Sequence, residues 1–502
     1  MRILFILFFA QTLLAQNSAD ALLFSEKLFS TTARSAATGS SMSALGGDLS
    51  AVNLNPAGLG FFRTSELSIC LGFHLSDIKS TFVSDSSRPN SYDNRSSFNM
   101  GSLAFVYTRK MDKDWKNVNF GISYNRLSSF NRSFQLEGIS TGSRLVNMVE
   151  QANNQNTAPS GLNPFEEQLA WNAYLIDNPG GGNLYIGALK DSNYIKKSQY
   201  IRQIGGNNEL GLSFAGSYKH KLYLGATLGI GFLKFRDQRD YFEEDLSNNI
   251  DFKSMKFSED RNVEGLGINL KIGFIYRINT KMKIGLAVHT PTAYALTETY
   301  FTSLSGAVIW DDTLRLTPED DPYFSPTAKY EHNFNSPWLF SLSWGSTFGE
   351  KESKLKGFVG VEADYINYSS SNFSLKLTDT VATQQDRDYL NQVNKAIKEN
   401  YQSVARVRIG GELAYEKFRL RAGYKIQTSP FVVAVKGVDD IQHEICIGAG
   451  FKGEVLFIDL SYQLFFKNFE YNPYYPTSSL NNQRSINFER GGLLLLTLGL
   501  RF

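Results

Sequence analysis

LLLTLGLRF, residues 494–502, decides the fold. Leu494, Leu496, Leu498, Leu500 and Phe502 fall on one face of a strand, and Leu495, Thr497, Gly499 and Arg501 on the other. Alternate side chains of a strand point to opposite sides of its sheet. The sequence stops on the aromatic, within the strand and without a polar tail. That ending suits a barrel whose last strand closes on its first. The same alternation recurs upstream, so the expected fold is all-β: a transmembrane antiparallel β-barrel of about 14 strands with an N-terminal plug in its lumen.

The faces can be followed strand by strand. Leu222, Leu224, Ala226, Leu228, Ile230 and Phe232 share one face, opposite Tyr223, Gly225, Thr227, Gly229 and Gly231. Ile268, Leu270, Ile272, Phe274 and Tyr276 oppose Gly267, Asn269, Lys271 and Gly273. A basic residue facing lipid at mid-bilayer costs about 2–4 kcal/mol, so in-phase charges should face the lumen. Glu362 and Asp364 take the inward phase of one strand, and Arg406 and Arg408 that of the next. They are expected to pair as lumenal charges across neighbouring strands.

Every second connection is short: 111–116, 219–221, 279–281, 349–354, 416–417 and 452–454. The others are mostly long, as expected where periplasmic turns alternate with external loops. Two long loops, 135–206 and 378–401, carry helical patterning over 143–152, 164–175 and 382–401. In the last, Tyr389, Val393 and Ile397 recur at helical spacing.

Composition narrows the function classes. The 502 residues hold 51 basic and 49 acidic side chains, a formal net charge of +2, which argues against a nucleic-acid partner. The 38 Phe, 25 Tyr and 41 Gly suit strands and interfacial girdles. No run approaches the roughly 18 apolar residues of a spanning helix. Arg2, the apolar run from Ile3 to Ala10 and the sequence Leu13-Leu14-Ala15 read as a signal peptide, residues 1–15. Residues 16–63 then form the plug and 64–502 the barrel. The expected location is the outer membrane of a Gram-negative cell, with outer-membrane lipid around the wall.

Chemical motifs are absent. There is no phosphate loop, HExxH or CxxC, and the five His lack metal-ligand spacing. Cys70 and Cys446, on the inward phase of strands far apart in the chain, read as free lumenal side chains rather than a disulfide or metal pair. Glu319, Asp320 and Asp321 read as a solvated loop face, since adjacent carboxylates lack the spaced ligands of a calcium loop. No catalytic residue, metal or cofactor is expected.

The plug is the part with the clearest signature. Ala19 to Thr31 is amphipathic, and Ala33 to Gly60 is rich in Ala, Gly and Ser with no aromatic before Phe61. Within it Asn53-Leu54-Asn55-Pro56-Ala57-Gly58-Leu59 resembles the Asn-Pro-Ala hatch of the FadL/TodX type of outer-membrane transporters of long-chain fatty acids and aromatic hydrocarbons. Gly46-Gly47-Asp48, the stretches 284–294, 408–431 and 445–466, and the terminal aromatic extend the resemblance. It implies uptake of a hydrophobic small molecule through a channel gated by Asn55, Pro56, Ala57 and Gly58. The expected exit is sideways, through a wall gap in the third strand at Asn125, Arg126, Leu127, Ser128 and Ser129. Leu59, Phe61 and Phe62 are the candidates for the ligand-pocket wall, and Phe502 for the handle of the barrel-assembly machinery. The long loops leave a second function class open, an accessory protein binding exported proteins as a secretion-system partner. A general aqueous porin fits less well, because a plug blocks free diffusion.

Overall fold

The computed structural model describes residues 10–27, 31–83, 89–190, 192–246, 250–350, 352–376, 383–433, 441–474 and 484–502. Most of the expected signal peptide therefore lies outside the described residues, as does the start of the 378–401 loop. The wall is one closed antiparallel sheet of fourteen strands. Strands one to six are Glu66–Val83, Asn90–Lys110, Trp115–Ser129 continued by Arg132–Ser140, Ile195–Tyr218, Leu222–Glu244 and Phe252–Arg277. The seventh joins Met282–His289 to Ala293–Trp310, the eighth Ala328–Asn335 to Leu339–Phe348, and the ninth Leu355–Asn367 to Asn372–Leu375. Strands ten to fourteen are Ser403–Tyr415, Phe418–Gln427, Gln442–Lys452, Leu456–Tyr471 and Arg484–Arg501.

Closure comes from the segment that opened the reading. The last strand pairs with the first from Glu66↔Arg501 to Val83↔Arg484. Ser65 and Phe502 exchange backbone hydrogen bonds of 3.0 and 3.1 Å at the seam. No edge remains there for another chain to extend.

Alternation sorts the side chains. Along the sixth strand Leu266, Ile268, Leu270, Ile272 and Phe274 are exposed, while Asn269, Lys271 and Ile275 are buried. Neighbouring strands repeat the pattern and form an apolar belt around the short-turn half of the wall. Strands four to six run 24, 23 and 26 residues, far more than the roughly 9–11 that cross a bilayer. Their upper halves stand clear of the belt and carry polar side chains outward.

That extension explains a difference from the expected boundaries. The third strand resumes at Arg132 and runs to Ser140, and the fourth starts at Ile195. The helical loop thus spans 141–194 rather than 135–206. Both extensions lie beyond the belt, where neither face needs apolar residues, so period-2 hydrophobicity fades while the ladder continues.

Among the described residues five α-helices complete the fold: α1 Ala10–Ser25, α2 Ala33–Ala37, α3 Arg144–Gln155, α4 Glu167–Asn172 and α5 Gln384–Asn400. The first two belong to the plug and the rest to long loops. α4 starts three residues after Pro164 instead of on it. α5 carries a capping box, Thr383 accepting from the Asp386 amide while Asp386 accepts from Thr383.

Candidate functional site: the plugged lumen

Residues 31–62 fill the short-turn half of the lumen. Their polar backbone can lie there only where each group finds a partner. Thr32 caps α2 by accepting from the Ser35 amide, Asp48 accepts from Ser50, and Asn55 from Ala57. The wall supplies the rest. Thr497 accepts from the Ala33 amide at 2.8 Å, and Gln463 donates to the Ala36 carbonyl at 3.2 Å.

Asn55, Pro56, Ala57 and Gly58 sit directly on the wall. The Asn55 amide donates to the carbonyls of Phe274 and Leu286, both at 3.3 Å, on strands six and seven. Asn53 accepts from Lys271 at 2.8 Å, and Lys271 also pairs with the buried Glu209. Asn117 donates to the carbonyls of Gly60 and Phe62 at 2.9 and 2.7 Å. The fit needs glycine in the wall: a Cβ on Gly273 or Gly225 would collide with Asn55 or Pro56. Gly360, Gly410 and Gly423 likewise face the plug backbone at Ser41, Thr38 and Gly39. The sequence signal was present, as glycine on the inward phase of strand after strand, but its meaning depends on what lies opposite.

The lumenal charges come together. Arg408 donates to Glu362 and Asp364 at 2.7 Å each, and Arg406 approaches Asp364 at 3.8 Å. The register pairs Glu362 with Arg408 and Asp364 with Arg406. Arg408 also donates to the Ser40 carbonyl at 2.9 Å, tying plug to wall. A second buried group links Arg34 of the plug to Glu412 at 3.1 Å, and Arg421 to Glu412 and Asp459 at 2.6 Å.

Leu59, Phe61 and Phe62, expected as the pocket wall, do not line the lumen's cavity. Leu59 and Phe62 pack with Leu49, Val52, Ala104, Val106 and Ala215 between plug and barrel. Phe61 stacks on Tyr223 at 3.8 Å. They anchor the entry into the first strand. The cavity lies at the other end of the plug and holds about 150 Å3. Leu23 of α1, Phe130, Ile426, Phe465 and Phe466 give it an apolar side. Its cations are largely paired: Lys425 with Glu444 at 2.7 Å and Lys467 with Glu26 at 2.9 Å.

α1 roofs this cavity. Phe24 packs edge-on against Phe235 and Phe334, and Asp20 pairs with Arg261, which Glu298 also holds at 2.7 Å. The amphipathic stretch expected over Ala19 to Thr31 is helical only up to Ser25 among the described residues, and its place at the long-loop end was not legible because its partners lie hundreds of residues downstream.

The wall beside the cavity is incomplete. Strands two and three pair from Lys110↔Asn117 up to Ser102↔Asn125 and no further among the described residues. Above that point strand two pairs only with strand one, and strand three only with strand four. Asn125 is the last rung, Leu127 is left out of the ladder at a bulge between Arg126 and Ser128, and Ser128 and Ser129 face the cavity. Side chains bridge the break from within: Phe82 lies against Gly138, and Ile78, Phe134 and Leu136 join the cluster. A second split separates strands nine and ten above Asn367↔Ser403. There α5 supplies Val393 and Ile397 to the cluster that holds α1.

The 141–194 loop packs over its own core at the long-loop end. Ser143 caps α3, and Arg144 lies between Glu166 and Glu259 at 2.8 and 3.4 Å, above the Phe257 ring at 3.9 Å. Burial, reinforced by the adjacent Glu166 charge, pushes the Glu167 carboxyl up to about 8.

No family model matches the chain, and no curated protein sequence matches it. Among solved structures, a FadL homologue of Pseudomonas aeruginosa is similar at 14% identity. The likeness covers 93% of this chain and 98% of that one, with a TM-score of 0.54. The toluene transporter TodX of Pseudomonas putida is similar at 13% identity over 93% and 97% of the two chains, with a TM-score of 0.47. The toluene transporter TbuX of Ralstonia pickettii follows at 14% identity over 91% and 94%, with a TM-score of 0.44. The first of these likenesses shows a shared fold.

Proposed function

We propose that the chain is an outer-membrane channel for uptake of hydrophobic small molecules, fatty-acid-like or aromatic, by hatch-gated lateral diffusion. One observation carries the reading: the break between strands two and three borders the cavity through Ser128, Ser129 and Phe130, the last on its apolar side. A plugged barrel with such a break offers an apolar solute a sideways path into the bilayer, and the solute need not enter water a second time. Burial of each methylene favours capture by about 0.8 kcal/mol. The resemblance of the Asn-Pro-Ala segment to the FadL/TodX hatch and the fold shared with a FadL homologue support the same reading.

In this reading the short turns face the periplasm and the long loops the exterior, the signal peptide is removed after Ala15, and Phe502 recruits the barrel-assembly machinery. The hatch opens the path when Asn55 leaves the Phe274 and Leu286 carbonyls. The test is uptake of labelled fatty acids, alkanes and aromatics by a deletion strain carrying the native chain or one with Asn55, Pro56 and Ala57 all replaced. Uptake by the variant should fall toward that of the deletion strain while the barrel still assembles. Equal uptake by native, variant and deletion strains across the panel would refute transport.

A further inference from the structure

The short-turn end of the barrel carries a charge pattern that the channel reading does not use. Each of the six short turns presents an exposed lysine: Lys113, Lys219, Lys281, Lys354, Lys417 and Lys452. Arg63, Arg109, Lys110, Lys221 and Lys356 stand exposed beside them. Against these, the same turns expose Asp112, Asp114, Glu350, Glu352, Glu416 and Glu454. Two pairs form within the rim, Asp114 with Lys219 at 3.7 Å and Glu416 with Lys354 at 3.0 Å, and leave the excess of cations unchanged. Cations therefore exceed carboxylates at this rim by more than the whole chain's net charge of +2, and the remainder of the molecule is acidic.

From this asymmetry we infer that the rim is a docking surface for anionic phospholipid headgroups of the surrounding leaflet. The inference rests on the proposed membrane placement. The lysines are spread around the full circumference, one per turn, and are not gathered on one face as a protein partner would require. They lie beside exposed aromatics, Tyr107, Phe348, Tyr415 and Phe418, and such residues mark the headgroup level. A lysine stem can lie along apolar wall while its ammonium reaches a phosphate. Basic residues next to a membrane attract anionic lipid over about one Debye length, so the attraction must weaken with salt.

The test uses the full mature chain purified in mild detergent and equilibrated with equal amounts of dioleoyl phosphatidylglycerol and dioleoyl phosphatidylcholine. Retained lipids are identified by native mass spectrometry. The native chain should retain phosphatidylglycerol over phosphatidylcholine by about threefold or more at low salt, less at high salt. In the variant K113Q/K219Q/K281Q/K354Q/K417Q/K452Q the ratio should approach one. A charge-matched control at the other end, K190Q/K234Q/K329Q/K376Q/K395Q/K398Q, should keep the native ratio. Heat-modifiable gel migration verifies that each variant is a folded barrel. No preference in the native chain, or equal loss in both variants, would overturn the inference. Retention of no lipid of either kind would instead count against membrane placement itself.

Discussion

The two halves of the N-terminal segment are held in different ways. Residues 31–62 touch the wall at backbone level, with hydrogen bonds to carbonyls and glycines that leave no room for a side chain. α1, from Ser18 onward, and Glu26 just after it touch the wall through aromatic packing and two ion pairs, Asp20 with Arg261 and Glu26 with Lys467. Backbone seating is rigid because closely packed atoms have little freedom to shift. Side-chain seating can be remade one residue at a time. The lower half is therefore the more firmly seated of the two, and the contacts of α1 should be remade at lower cost than those of Asn55 with the wall.

The largest expected effect that tests this contrast is at Arg408. Replacing it with Met leaves Glu362 and Asp364 buried without their shared cation and should cost about 3–5 kcal/mol. Arg236→Met, which breaks the exposed pair with Asp260, should cost about 0–1 kcal/mol. Urea titration in detergent, followed by intrinsic fluorescence, measures both. If the two variants unfold together, the lower plug is not fixed by its buried charges.

Next comes Gly410→Ala, whose Cβ would meet the Thr38 carbonyl. Overpacking of this kind costs about 1–3 kcal/mol. Gly182→Ala, in open space, should leave the midpoint unchanged in the same titration. A smaller and more local effect is expected of Asp20→Asn, since Glu298 still holds Arg261. Hydrogen exchange should quicken over 18–25 while 33–37 stays protected; equal change in both would dissolve the distinction between the halves.

The last concerns the loop cap and is read from pH. The folded Glu167 carboxyl sits near 8, above its ordinary 4.5, because burial favours the neutral form. The stability it contributes is complete below the ordinary value and is lost as pH rises toward 8. Opening of α3 and α4 should grow by up to about tenfold per pH unit across that window, seen as faster exchange over 144–172. Glu167→Gln should flatten the dependence. A native loop whose exchange, corrected for intrinsic rates, ignores pH would remove Glu167 as its cause.

How far the sequence could be read depends on where each element meets lipid. Strands inside the apolar belt alternate between lipid and lumen, so Leu222–Phe232 and Ile268–Tyr276 fall into place from periodicity alone. The same argument put Glu362 and Asp364 opposite Arg406 and Arg408, because in-phase charges on neighbouring strands must share the lumen. Where the wall leaves the belt the signal fades, and residues 135–140 and 195–206 passed as loop. Leu59, Phe61 and Phe62 were misplaced as pocket residues for a related reason. Hydrophobicity marks a residue as buried without saying against what, and here the neighbours were Ala104, Val106, Ala215 and Tyr223. The lining of the cavity, Phe130 with Phe465 and Phe466, joins strands too distant in sequence for local pattern to connect.

The height of the wall has a consequence of its own. A 24-residue strand at about 3.3 Å per residue is about 80 Å long, and tilted by about 40° it rises to about 60 Å, against an apolar band about 25 Å tall. In the proposed placement the mouth therefore opens some 30 Å or more above the hydrocarbon, like a chimney clearing a roof. With the long loops outward, as proposed, its tip would be what antibodies and bacteriophages meet first. Gly180 to Gly182, with nothing within 4 Å of a side chain placed there, would accept an inserted epitope and display it to reagents that never cross the membrane.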